Sequence, residues 1–212
     1  MKVLINDENS DNVSIHYFII VDLSGSMYDF IDDLKKIFID ITNKISDKDT
    51  LTFGYFSGYN EFDWICKFSN IKNIDFKYLL DNMFYSRGLT CYTQILSSFL
   101  QLVENKNLDS CLYFLSDGCP NDHSPNEEIF ELCKKISQNV KFNFICGFGS
   151  YYSRILLENM TSILKAQFIH ASDIKDIQNN YNSFINIQKK LINYCNTSFM
   201  WHHKVMTGKI KN

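Results

Sequence analysis

The segment Val21-Asp-Leu-Ser-Gly-Ser-Met27 places Asp22, Ser24 and Ser26 at alternate positions directly after the apolar run HYFII. In an extended segment such positions point the same way, so one carboxylate and two hydroxyls are expected to converge, with Gly25 permitting a sharp turn. Two further oxygen donors stand where other apolar stretches end or begin: Asp117 in FLSDG and Thr90 in SRGLTCYT. None of these donors is His or Cys. Hard divalent cations such as Mg²⁺ prefer oxygen, whereas zinc and copper recruit imidazole or thiolate. Two carboxylates balance one divalent cation and hydroxyls add dipoles without charge, so the cation remains an acceptor for a further anion.

The elements that must position these donors alternate along the chain. HYFIIVDLS reads as a strand and DFIDDLKKIFIDITNKI as a helix ending near Ile45. DTLTFGYFS and DWICKFSNI are separated only by Gly58-Tyr-Asn-Glu61 and predict an antiparallel hairpin. Then come a short helix FKYLLDNM, a longer helix from Tyr92 to Lys106, and the strand SCLYFLSDG. The helix NEEIFELCKKISQN, the strand KFNFICGFG, the helix YSRILLENMTSILKA, the strand QFIHAS and a helix from Asp173 to about Asn193 complete the order. Runs such as CLYFL have no polar alternate face, as burial on both sides of a parallel sheet requires, and the alternating helices supply the cover. The expectation is an α/β, doubly wound, Rossmann-like three-layer sandwich: a mostly parallel six-stranded sheet with one antiparallel edge strand. Such sheets bind ligands beyond the carboxyl ends of their strands, where Asp22, Ser24, Ser26, Thr90 and Asp117 fall.

Composition narrows the function classes. A chain of 212 residues with 45% hydrophobic content buries one core. Residues 1–12 read as an arm, 13–192 as the domain and 193–212 as a tail without clear periodicity. The net charge is −3 and the Lys and Arg residues are scattered, which argues against nucleic acid as a ligand. The N-terminus has the pattern of neither a signal nor a transit peptide, and no apolar run is long enough to span a membrane. Seven cysteines without a C-x-x-C pair fit a reducing, cytoplasmic setting.

The five donors, in this order and separation, resemble the metal-ion-dependent adhesion site of the von Willebrand factor A family: Asp-x-Ser-x-Ser after the first strand, a Thr in a Gly-containing loop, and an Asp after the fourth strand. Asp22, Ser24 and Ser26 match the first part, Thr90 in GLT the second and Asp117 in LSDG the third. TCYT also offers Thr93, but Gly88 two residues before Thr90 resembles the family loop. The resemblance covers residues 13–192 and implies a site for Mg²⁺, or Mn²⁺ or Ca²⁺, that captures a Glu or Asp of a partner protein. It further implies Ser24, Ser26 and Thr90 as direct or switchable ligands, with Asp22 and Asp117 acting through water. Met27 after the second serine resembles stand-alone intracellular prokaryotic members, those associated with tellurite resistance or partnered with AAA+ ATPases. Such relatives imply a subunit of a stress-response or phage-defence complex, its partner a kinase, phosphatase, nuclease or AAA+ ATPase. This chain is then expected not to be an enzyme itself.

Other residues at the same edge have weaker claims. Tyr28, Tyr59, Arg87, Tyr92 and His123 are candidate partner contacts, because Tyr and Arg concentrate binding energy at interfaces; Tyr55, Phe56, Tyr85, Tyr151 and Tyr152 fall nearby. The alternative function is a metal-dependent hydrolase or phosphoryl-transfer enzyme with a base drawn from His123, Asp122 or Asp29. It lacks a G-x-S-x-G elbow and a G-K-[ST] loop, and His16 falls at the far end of the first strand. Cys91 and Cys119 near the donors, and Trp201, His202 and His203 in the tail, are explained by packing or solvation.

Overall fold

The computed structural model describes residues 14–104, 106, 108–121, 125–150, 152–182, 184 and 185. The arm 1–12, the tail 193–212 and the residues Asp122, His123 and Tyr151 lie outside the described residues. Six strands form one sheet: β1 (His16–Asp22), β2 (Thr50–Phe56), β3 (Phe62–Asn70), β4 (Ser110–Ser116), β5 (Phe142–Phe148) and β6 (Gln167–Ala171). Their spatial order is β3-β2-β1-β4-β5-β6, parallel throughout except for β3, which pairs antiparallel with β2. The expected architecture is the observed one.

All seven residues of β1 and of β4 are buried. Alternation sends Tyr17, Ile19 and Val21 of β1, with Cys111, Tyr113 and Leu115 of β4, to one face, and Phe18, Ile20, Leu112 and Phe114 to the other. The first face is covered by α1 (Ile31–Thr42), α2 (Phe76–Met83) and a final helix described over 174–182, 184 and 185. The second is covered by α3 (Tyr92–Val103), α4 (Asn126–Ile136) and α5 (Arg154–Leu164). In α1 the apolar residues Ile31, Leu34, Ile37, Phe38 and Ile41 recur at helical spacing, and Asp32 and Asp33 occupy the first turn, where carboxylates complement the helix dipole.

The stretch after β1 departs from the expectation. It is not extended to Ser26: Gly25–Phe30 is a 3₁₀ helix, and α1 begins only at Ile31. The convergence of Ser24 and Ser26 therefore comes from a tight turn rather than from strand alternation. Because the chain leaves β1 for β2 on one side and returns to β4 on the other, the sheet reverses its order between β1 and β4. That leaves a crevice beyond their carboxyl ends, and the turn at residues 23–27 lines it.

Candidate metal centre

Asp22 is the last residue of β1 and lies level with Phe56 of β2, while Val21 lies level with Leu115 of β4. This register puts Ser116 beside Asp22. The Asp22 carboxyl is fully buried, and its Oδ2 accepts from Ser116 Oγ at 2.5 Å while its Oδ1 accepts from Ser24 N at 2.8 Å. Ser24 Oγ and Ser26 Oγ are 3.2 Å apart, and Ser26 Oγ donates to Asp117 Oδ1 at 2.9 Å. Thr90 is buried and clasped by the Asp117 loop: its N donates to Asn121 Oδ1 at 2.8 Å and its O accepts from Asn121 N at 3.1 Å. A Cβ added at Gly118 would stand 2.9 Å from Thr90 Oγ1 and 3.4 Å from Asp22 Oδ2, so Thr90 and Asp22 face the same small space, and only glycine leaves it open. Four of the five expected donors are thus joined by direct bonds, and Thr90 meets them across Gly118.

Backbone bonds tie the contributing loops together. Leu23 N donates to Phe56 O at 2.8 Å, Gly25 N to Gly88 O at 3.1 Å, Arg87 N to Leu23 O at 2.8 Å and Cys91 N to Ser57 O at 2.7 Å. Gly88 sits at φ +49°, where a side chain is strained, and a Cβ there would collide with the Glu61 carboxylate. That carboxylate in turn accepts from Ser57 Oγ at 2.9 Å, closing the β2–β3 turn that the Cys91 N–Ser57 O bond ties to the Thr90 loop.

Two neighbouring buried carboxyl groups repel each other when both are ionised. Burial pushes Asp22 up to about 7, the Ser116 hydroxyl opposes the shift, and the Asp117 charge adds to it. Asp117 is likewise raised by burial, against the opposing hydroxyls of Ser26 and Ser24. No Lys or Arg among the described residues forms an ion pair with either carboxylate. A divalent cation would remove this repulsion, and an all-oxygen set of two carboxylates and three hydroxyls fits a hard one. Among the described residues no group of three or more His, Cys, Asp or Glu side chains forms a metal cage, so any cation here relies on hydroxyl donors.

The expected partner contacts separate. Tyr28 and Tyr59 are exposed, at 76% and 53%. Arg87 is clamped between two tyrosine rings. Tyr92 is not a surface contact: it is fully buried, and its hydroxyl donates to Gly118 O at 3.0 Å and lies 2.6 Å from Ser116 Oγ. As the first residue of α3, between the Thr90 loop and β4, it supports Ser116 and through it Asp22. Tyr55 and Phe56 also belong to the core rather than to the edge loops. Thr93 points inward, with Oγ1 3.5 Å from Cys91 Sγ. Cys66, Cys111, Cys133 and Cys146 are buried core residues whose thiols are raised by desolvation. The supporting residues Ser116, Asn121 and Glu61 carried no signal of their own, although Ser116 stands next to Asp117 in LSDG.

No protein-family model and no curated protein matches the sequence. Solved structures do. A von Willebrand factor type A protein from Catenulispora acidiphila superposes with a TM-score of 0.67 at 14% identity, over 81% of this chain and 42% of that one. The chain has the von Willebrand factor A fold. BatB from Bacteroides thetaiotaomicron, with a TM-score of 0.66 at 12% identity, matches over 84% of this chain and 100% of its own. Proximal thread matrix protein 1 from the mussel byssus, solved with a zinc-occupied MIDAS motif, gives 0.64 at 17% identity over 84% of this chain and 46% of that one. This von Willebrand A fold thus spans less than half of the Catenulispora and mussel chains. No helix among the described residues is long and apolar enough to cross a membrane.

Proposed function

We propose that the chain is a metal-dependent protein-interaction module. The observation that carries this reading is the buried pair Asp22 and Asp117, brought together with the hydroxyls of Ser24, Ser26 and Thr90 at the point where the sheet reverses, without a counter-charge from the described residues. A divalent cation, Mg²⁺ or alternatively Mn²⁺ or Ca²⁺, would supply an unsaturated positive centre for a Glu or Asp of another protein. The residues of the chain orient that exchange. Ser116 and the Ser24 amide fix both oxygens of Asp22, Ser26 fixes Asp117, and Asn121 holds the Thr90 backbone against the Asp117 loop.

The same reading assigns the module to the cytoplasm, in a stress-response or phage-defence complex whose kinase, phosphatase, nuclease or AAA+ ATPase subunit supplies any catalysis. Its support is the resemblance of the Asp22–Met27 segment to stand-alone intracellular family members. The hydrolase alternative gains nothing from the geometry: among the described residues Ser24 and Ser26 bond each other and carboxylate, with no imidazole on either. Asp29 is exposed on the 3₁₀ segment. Affinity capture from native lysate in Mg²⁺, in EDTA and with Asp22→Ala tests the proposal. A partner retained only with metal and intact Asp22 supports cation-bridged capture, whereas one indifferent to both places the interface elsewhere.

A further inference from the structure

Arg87 is fixed beside the candidate metal centre without an ion pair to any described residue. Its guanidinium carbon lies 4.5 Å from the centre of the Tyr55 ring and 3.9 Å from that of Tyr85. Stacking between two rings sets the plane of the group. Nη2 donates to Met83 O at 2.9 Å, while Nε is buried without an acceptor. Among the described residues no salt bridge includes Arg87. An arginine kept for architecture alone would be expected to find a carboxylate; here Nη2 bonds Met83 O and the group packs on Tyr55 and Tyr85, while Nε has no acceptor and no carboxylate of the described residues pairs with it.

The backbone around it is part of the metal loop. Arg87 N donates to Leu23 O at 2.8 Å, Ser86 Oγ donates to Ser24 O at 3.0 Å, and Gly88 O accepts from Gly25 N at 3.1 Å. The guanidinium is thereby registered to Ser24 and Ser26. It is nevertheless set to one side of them: Asp22 responds to burial, to Ser116 and Ser24 and to Asp117, and Asp117 to burial and its hydroxyl donors, with Arg87 acting on neither. Exposed apolar surface lies on the same loops, with Tyr28 at 76%, Tyr85 at 53% and Leu89 at 52%. Such a rim excludes water from charged contacts at its centre.

We propose that Arg87 is a second anion-binding point beside the cation, and that the segment this surface accepts carries two carboxylates, one for the metal and one for the guanidinium. The inference rests on the reading of the site as cation-bridged capture of an acidic side chain. Charge complementarity selects the occupant. Asp22 and Asp117 balance the cation, Arg87 pairs with no carboxylate among the described residues, and a guanidinium donates charge-assisted hydrogen bonds to a carboxylate.

The test uses the full chain in Mg²⁺ with acetylated, amidated peptides bearing either one glutamate or two glutamates separated by zero to four alanines. Affinities are measured for wild type, Arg87→Gln and Arg87→Lys, with thermal midpoints in EDTA confirming that each variant folds. In wild type the best two-glutamate peptide is expected to bind about tenfold tighter than the one-glutamate peptide, the gain of one charge-assisted contact. Arg87→Gln should erase that gain while one-glutamate binding stays Mg²⁺-dependent, and Arg87→Lys should keep only part of the gain. Equal binding of both peptides by wild type, or a gain that survives Arg87→Gln, overturns the second subsite while leaving metal capture standing. Failure of even the one-glutamate peptide to bind in Mg²⁺ overturns the capture reading and this inference with it. Equal binding of the two peptides by wild type overturns the second subsite even if the variants do not fold.

Discussion

At the amino end of β1, His16 is 3% exposed, with Nδ1 2.5 Å from Thr50 Oγ1 and Nε2 2.9 Å from Thr52 Oγ1. At the carboxyl end, Asp22 is fully buried and also has both side-chain oxygens bonded, to Ser116 Oγ and Ser24 N. By hydrogen-bond inventory the two are equals; by charge they are not. Burial, with help from Lys106, lowers His16 to about 4, so the ring is neutral and complete between the rings of Phe18 and Phe68, at 4.3 and 4.7 Å. Burial raises Asp22 to about 7, and the neighbouring Asp117 carboxylate adds to the shift. A buried polar group whose bonds and charge are both settled is architecture. One whose bonds are settled and whose charge is not is a candidate for a counter-ion.

The largest effect expected from this contrast is a separation of function from stability. Asp22→Asn should weaken Mg²⁺ binding by about 100-fold or more while raising stability in EDTA above pH 7 by about 1–3 kcal/mol, because it removes a buried like charge. His16→Phe should do the reverse, leaving Mg²⁺ affinity within about twofold and costing about 1–3 kcal/mol as Thr50 and Thr52 lose their partner. Calorimetric titration and urea denaturation of both variants check the pair. Equal loss of stability in the two would erase the distinction between the ends.

The second test is the pH profile of stability in EDTA. Asp22 has its folded value raised, so its contribution is complete below about 4 and is lost as pH rises towards about 7. His16 has its folded value lowered, so its contribution is complete above 6.5 and is lost as pH falls towards about 4. The slopes oppose each other at up to ~1.4 kcal/mol per pH unit, and the wild-type profile should be shallow between them. Asp22→Asn should unmask a rise with pH, His16→Phe a fall, and saturating Mg²⁺ should reproduce the Asp22→Asn slope. A wild-type profile unchanged by either substitution would mean that neither group titrates as its surroundings dictate.

A smaller effect should come from the support of Asp22. Tyr92→Phe removes the hydroxyl that joins Gly118 O and Ser116 Oγ, and it should lower Mg²⁺ affinity several-fold to about tenfold without changing the number of sites. A loss as large as that of Asp22→Asn would mean that Tyr92 does more than orient.

The candidate donors were legible because a cation site would need oxygen at strand ends, and strand ends are visible as the limits of apolar runs: HYFII before Asp22 and CLYFL before Ser116 and Asp117. The antiparallel edge strand was legible for a similar local reason, the short turn between DTLTFGYFS and DWICKFSNI. What stayed hidden depends on contacts between distant positions. The 3₁₀ turn at Gly25–Phe30 replaces the extended geometry that alternation suggested, yet still brings Ser26 to Asp117, 91 residues away. Tyr92 looked like a loop aromatic because its burial is set by Ser116 and Gly118, on a strand end and a loop it meets only after folding. Arg87 gave no hint that a β2 side chain, Tyr55, and a loop side chain, Tyr85, would hold it in place.

Calorimetric titration of Mg²⁺ into the EDTA-stripped full chain at pH 7.5, wild type beside Asp22→Asn, addresses the central claim most directly. The account predicts one saturable site in wild type that disappears in the variant. Absence of saturable binding in wild type, or an unchanged isotherm in Asp22→Asn, would contradict it.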